Sequence, residues 1–253
     1  MTKFDKANFN GKALVAFITC GDPDLETTAA AIRAAADNGV DIIQLGIPFS
    51  DPTAEGPVIQ EASIRALENG MTTDKAFDFM KEIRKDVKTP VAFVTYANVV
   101  FSYGAEKFIA GCREAGVDGL ILPDLPYEEK EDFQPLCTQY GIDLISTIAF
   151  NSAARIEMIA KEAEGFICLR AMPGATGEAD ANLADVAAKI ASFTNVPCMV
   201  NCGTQLPEQA AVAAKIADGV IVDEAMVHLF EQYGKDAPAK VGEYVKALKD
   251  AIR

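Results

Sequence analysis

The sequence predicts an α/β fold, a (β/α)8 or TIM barrel, with residues 1–253 forming a single domain. Three observations carry this expectation. Short β-rich apolar runs alternate with longer helical patterns along the whole chain, the signature of repeated βα units and a parallel sheet. Eight such runs can be counted. The length of 253 residues suits one closed α/β barrel, and no Pro/Ser-rich linker or low-complexity tract divides it.

The first run, ALVAFIT (13–19), is apolar at nearly every position, as expected of a strand covered on both faces. DPDLETTAAAIRAAADN (22–38) then opens with Asp and continues with Ala and Ile at helical spacing. The second run, DIIQLGI (41–47), follows the glycine of NGVDIIQL, and the third, VAFVTY (91–96), follows KDVKTP, which looks like a helix exit. GLILPD (119–124), DLISTIA (143–149) and GFICLRA (165–171) are introduced by AGVD, YGID and AEGF. PCMVNC (197–202) follows SFTNVP, and GVIVDE (219–224) follows the helical LPEQAAVAAKIA (206–217). Glycine is the usual residue where a helix stops in a left-handed turn, so its recurrence just before five of the runs marks αβ junctions. A doubly wound open sheet is the alternative, but the turn after the first run is TCGDPDLET and lacks the GxGxxG that fold uses for dinucleotides.

A formal charge of −14 argues against nucleic acid and anionic membrane surfaces, which need a concentrated positive field. No stretch approaches 18 uninterrupted apolar residues, and MTKFDKANFNGK lacks the apolar centre of a signal peptide, so a cytoplasmic location is expected. The six cysteines, Cys20, Cys112, Cys137, Cys168, Cys198 and Cys202, form no CxxC pair and sit mostly in apolar runs, where reduced, buried thiols are expected. The only histidine, His228, excludes a multi-histidine metal site and is expected to be a partly buried helix residue.

In α/β barrels the chemistry sits where the strands end. That rule selects 19–24, 44–60, 95–98, 123–126, RAMPGATGEAD, 201–205 and 223–226. Within these loops FITCGDPDLETT, LGIPFSDPTAEGPVIQEASIRAL, TYANVVFSYG, AGVDGLILPDLPYEE, PGATG and LPEQAA resemble the tryptophan synthase α subunit family, in that family's order, from residue 17 to residue 211. The resemblance implies a cofactor-free lyase that cleaves indole-3-glycerol phosphate by a retro-aldol reaction and passes indole to a β subunit. It also implies a glutamate proton carrier ending the second strand, an aspartate in the next loop that orients the indole N–H, and a glycine-rich phosphate cradle near strands six to eight.

At the proton carrier's position the family's ELGxPFSDP becomes QLGIPFSDP, placing Gln44 there. A neutral amide cannot exchange a proton near neutral pH. The family's loop aspartate is Glu55, which keeps the charge one methylene further out and could act as base from a shifted position. PGATG keeps Thr176 and Gly177, and Gly203 survives although the family's GFG is now Asn201, Cys202, Gly203. The family's GSA at the eighth strand is Asp223, Glu224, Ala225. Asp223 fits a helix cap, but it occupies the anion site in doing so. Phe17, Tyr96 and Asp124 match aromatic and acidic pocket positions, while Cys168 replaces an aromatic.

These departures predict impaired or lost lyase activity and leave three functions open. One is an authentic α chain working through Glu55. Another is a non-catalytic partner docking to a β subunit through Asp51 and Pro52, in the loop by which the family communicates with that subunit. The last is a barrel repurposed for a non-phosphorylated small ligand, where Glu55, Asp124, Asp223 and Glu224 would favour a cation, an amine or a hard metal such as Mg²⁺.

Overall fold

The computed structural model describes residues 3–9, 11–149, 155–170, 178–201 and 203–253. Eight parallel strands close into a barrel in chain order, with β8 pairing back onto β1. They are β1 (Ala13–Thr19), β2 (Ile42–Gly46), β3 (Val91–Val94), β4 (Gly119–Ile121), β5 (Asp143–Ala149), β6 (Ile167–Arg170), β7 (Cys198–Asn201) and β8 (Gly219–Val222). Each matches a predicted run. Most end one to three residues sooner, and where those last residues are described they leave the ladder for the loops at the barrel mouth.

The helices are α1 (Leu25–Asp37), α2 (Pro57–Glu68), α3 (Thr73–Ile83), α4 (Ala97–Tyr103), α5 (Ala105–Glu114), α6 (Gln134–Tyr140), α7 (Ile156–Lys161), α8 (Glu178–Phe193), α9 (Pro207–Ala213), α10 (Glu224–Tyr233) and α11 (Ala237–Ile252). Asp24 starts α1 by accepting from the Thr27 amide at 2.8 Å, so the helix begins later than the expected start at Asp22 and the second aspartate is the side-chain cap. Proline is the first residue of α2 and of α9, where its missing N–H has no intrahelical partner to lose. Gly141 ends α6 at φ 67°, the left-handed stop foreseen at the YGID junction.

Alternation along each strand sorts two apolar layers. Inside the barrel lie Val15, Phe17, Ile42, Ala92, Val94, Ile121, Ile145, Phe166, Cys168, Met199 and Ile221. Between strands and helices lie Leu14, Ile18, Ile43, Leu45, Phe93, Leu120, Leu144, Leu169, Val200 and Val220. Phe4 joins the inner layer, fully buried and edge-on to Phe166 at 5.2 Å. At Gly219 a Cβ would fall 2.6 Å from the Ala13 carbonyl and 2.5 Å from Met199 Sδ, so only glycine lets β8 approach β1 and close the ring.

Two ion pairs bind helices to the barrel. The buried Lys249 of α11 reaches Asp41 at 2.6 Å and donates to the Lys12 carbonyl at 2.8 Å, while Asp41 accepts from the Leu14 amide at 2.7 Å. Arg65 of α2 grips the buried Asp22 with two bonds of 2.8 Å. The five described cysteines are free and buried as expected, with Cys202 outside the described residues. His228 corrects its expectation. It is exposed on α10 and meets Glu231 at 2.8 Å, because the buried stripe of that helix runs through Met226, Val227 and Phe230. Among the described residues no helix is long and apolar enough to cross a membrane.

Candidate active site at the barrel mouth

The inward positions of β1, β2 and β6 place three side chains at the mouth by strand alternation alone. Phe17 and Gln44 are register partners on β1 and β2, and both are buried. Cys168 faces them from β6, where Gln44 Nε2 donates weakly to its Sγ at 3.7 Å, and burial pushes the thiol up to about 12.

Glu55 reaches the same space from the loop after β2. That loop is shaped by the Glu55 amide donating to the Pro52 carbonyl at 3.1 Å and by the Ala54 amide donating to the Tyr96 hydroxyl at 3.0 Å. Phe49 and Tyr96 pack at 5.2 Å and hold the loop beside the end of β3. Burial lifts the Glu55 carboxyl to about 7, with Arg170 pulling it down and Asp223 and Glu224 pushing it further up. The Tyr96 phenol rises to about 12, chiefly through burial, with Glu55 and Asp124 adding to the rise.

Arg170 opens the selected RAMPGATGEAD segment but was not singled out as a site residue. As the last residue of β6 it points inward two positions after Cys168, and it reaches across the mouth to the loop after β2. Its Nη2 lies 3.9 Å from Glu55 Oε2 and 3.4 Å from the Ala54 carbonyl. The signal that could have found it is periodic: in GFICLRA, Phe166, Cys168 and Arg170 share one face, and an arginine on the inner face of an apolar strand demands a partner.

On the far side Asp223 starts α10, and its Oδ1 accepts from the Glu224 amide at 2.7 Å. Its Oδ2 accepts from Asn201 Nδ2 at 2.6 Å, and Asn201 Oδ1 in turn accepts from the Gly203 amide at 3.4 Å. Gly203 sits at φ 70°, a conformation that favours glycine. The Glu224 carboxylate lies against Gly56, where a Cβ would fall 2.1 Å from Oε1.

The structure therefore brings together Phe17, Gln44, Glu55 and Asp223 around one hollow of about 40 Å³, with Arg170, Cys168 and Asn201 completing its polar lining. Glu224 stands at its rim. Asp124 is not part of it: exposed, it accepts from the Ala97 amide at 3.0 Å and caps α4. Asp51 is exposed on the outer loop and accepts from Ser50 Oγ at 2.6 Å, with Pro52 half-buried beside it. Thr176 and Gly177 lie outside the described residues. Among the described residues no group of three His, Cys, Asp or Glu side chains is set to hold a metal ion.

Fold and site together define the class: a closed parallel (β/α)8 barrel with its polar groups gathered at the C-terminal mouth. Residues 4–253 match the tryptophan synthase alpha chain family. The chain is 43% identical to the tryptophan synthase alpha chain of Lacticaseibacillus casei, covering 100% of this chain and 96% of that one. It is likewise 43% identical to that of Geotalea uraniireducens, covering 98% and 94%. The crystal structure of tryptophan synthase subunit alpha from Legionella pneumophila superposes with a TM-score of 0.89 at 34% identity, covering 100% and 98%. The chain belongs to the tryptophan synthase α-chain family.

Proposed function

We propose that this chain is an α-type barrel whose cleavage of indole-3-glycerol phosphate is impaired, with Glu55 as an acid/base group for neutral pH at its mouth. The support is the start of α10, where the Glu224 amide already donates to the chain's own Asp223 at 2.7 Å. A phosphate there would meet two carboxylates instead of a free amide. At about 5 Å and an effective dielectric near 20, each would oppose a dianion by several kcal/mol. A helix terminus returns only about 0.3–2 kcal/mol.

The chemistry loses a second part at Gln44. A retro-aldol cleavage must deliver a proton to the ring carbon that departs and remove one from the hydroxyl that becomes a carbonyl. Acid/base assistance contributes about 10²–10⁴-fold, and an amide supplies none of it. Glu55, lifted to about 7, is poised for either transfer and leaves a residual route.

Indole release is the test. Wild type is expected to run at least about 10²-fold below a Q44E/D223G/E224S variant, the size of a restored acid/base group. Brisk wild-type turnover would sink the reading.

A second reading, docking to a β subunit, is favoured by Phe101. This α4 side chain is 76% exposed and lies just beyond Tyr96, whose ring packs on the Phe49 loop that carries Asp51 and Pro52. Two independently sedimenting species in a mixture with a β chain would count against it.

A further inference from the structure

We infer that the groove between α8 and α9 is a self-association surface, into which a second copy of this chain lays its own α8 about a two-fold axis. Nothing in this depends on the chemistry at the mouth.

The groove exists because the helical shell is uneven. α8 runs for 16 residues while α9 stops after seven, and between them the shell opens over about 500 Å³. Ala187, Ile190, Cys198 and Ala217, all buried, form the floor. The wall on α8 is Ala184, Ala188 and Ala191, exposed on successive turns of one helix face. Half-buried Val196 and Ile216 continue the apolar surface, and Val212 of α9 stands 54% exposed beside them. An exposed apolar patch with a charged rim marks an interaction surface.

Shape and charge both point to a second copy. The alanine wall ends at Cβ, so another helix can approach α8 to the short end of the roughly 8–10 Å interaxial range. The helix that does so best has an alanine face of its own, and α8 has one. Two-fold symmetry makes the contact reciprocal, with each α8 entering the other groove, so the four helices lie in the order α9, second α8, first α8, second α9.

In that order the side of α8 turned away from its own groove meets the α9 end of the other copy. Asp185 lies on that side of α8, and Lys215 lies at the groove just after α9. Both are exposed, and among the described residues neither is in an ion pair. The contact therefore joins opposite charges twice, at the two edges of an apolar centre. For a chain of formal charge −14 this is decisive, because two copies repel one another over most of their surface.

The position leaves other faces free. Lys12, Val196 and Asp218 at the groove lie just before β1, β7 and β8, at the end of the barrel away from the mouth. α9 follows β7, and β7 stands opposite β3 in the ring, so Phe101 on α4 faces away from the second copy.

Sedimentation velocity of the chain alone, from about 1 to about 200 µM, is expected to show a monomer passing into a dimer. A188E, at an exposed position, is expected to stay monomeric throughout, since the dimer would bury two unpaired carboxylates near its axis. D185K and K215E are each expected to weaken the dimer about tenfold, and D185K/K215E to regain wild-type affinity because the exchange restores both pairs. Melting curves confirm that the variants fold, and the exchange series decides the matter even if A188E does not. A wild type monomeric at every concentration, a dimer untouched by A188E, or a double exchange no better than the single ones would overturn the inference.

Discussion

Glu55 carries a measurable signature in stability as well as chemistry. Its folded carboxyl sits near 7, above the unfolded value of about 4.5, because burial and two neighbouring acids outweigh Arg170. Between those values the folded state holds more protons than the unfolded one, so wild-type stability falls as pH rises from about 4.5 to 7, at up to about 1.4 kcal/mol per pH unit. E55Q has no such proton. Urea titrations of both proteins across that range should therefore show a gap in E55Q's favour that opens with rising pH, and parallel pH profiles would refute it. Most mouth residues were legible before any coordinates, since QLGIPFSDPTAEGP places Gln44 and Glu55 by motif and GVIVDE places Asp223. Arg170 escaped because its partner is 115 positions away and belongs to a loop, so no local spacing links them. Asp124 was ambiguous for the opposite reason: a strand-end acid serves equally as a pocket wall or as a cap for a neighbouring helix, and here it accepts from the Ala97 amide.

At the level of elements, Arg65 and Asp22 join α2 to the loop after β1. The acid is buried and the arginine about one-third exposed, with two bonds of 2.8 Å between them. Replacing Arg65 by methionine strands the acid away from water. Fully buried pairs lose about 3–5 kcal/mol when one partner is removed, and partial exposure of the guanidinium places this loss at or below the low end. Equilibrium urea unfolding checks it, and a loss under about 1 kcal/mol would show the pair to behave like a surface bridge. Two helices were readable from their starts, the Asp-led α1 and the Pro-led α9. What the sequence left open was where the chain stops after β8. Asp223 caps a helix as it fitted in the sequence, but that helix, α10, ends at Gly234 and α11 follows. Glycine at φ 52° allows that break, which an apolar count along EAMVHLFEQYG does not reveal.

For the whole molecule, ring closure depends on both ends of the strand series. β8 lies against β1 at Gly219, and α11 is pinned to that seam by Lys249 on Asp41. K249M leaves Asp41 nearly buried with only the Leu14 amide as hydrogen-bond donor, and a cost of about 3–5 kcal/mol is expected. A lowered urea midpoint at unchanged slope would confirm it; an unchanged midpoint would place the seam's strength in the apolar layers. The order of eight parallel strands was readable because most runs are nearly all apolar, and the open sheet was set aside because GxGxxG is absent after the first run.

Arg170 has a mechanical consequence too. In a ring of eight, β6 stands opposite β2, so a side chain running from one to the loop of the other is a strut across the diameter. It links the end of β6 to the loop after β2 across the mouth. Without it amide hydrogen exchange in R170M would quicken at the 50–56 loop and the end of β6 while the β1/β8 seam keeps its protection.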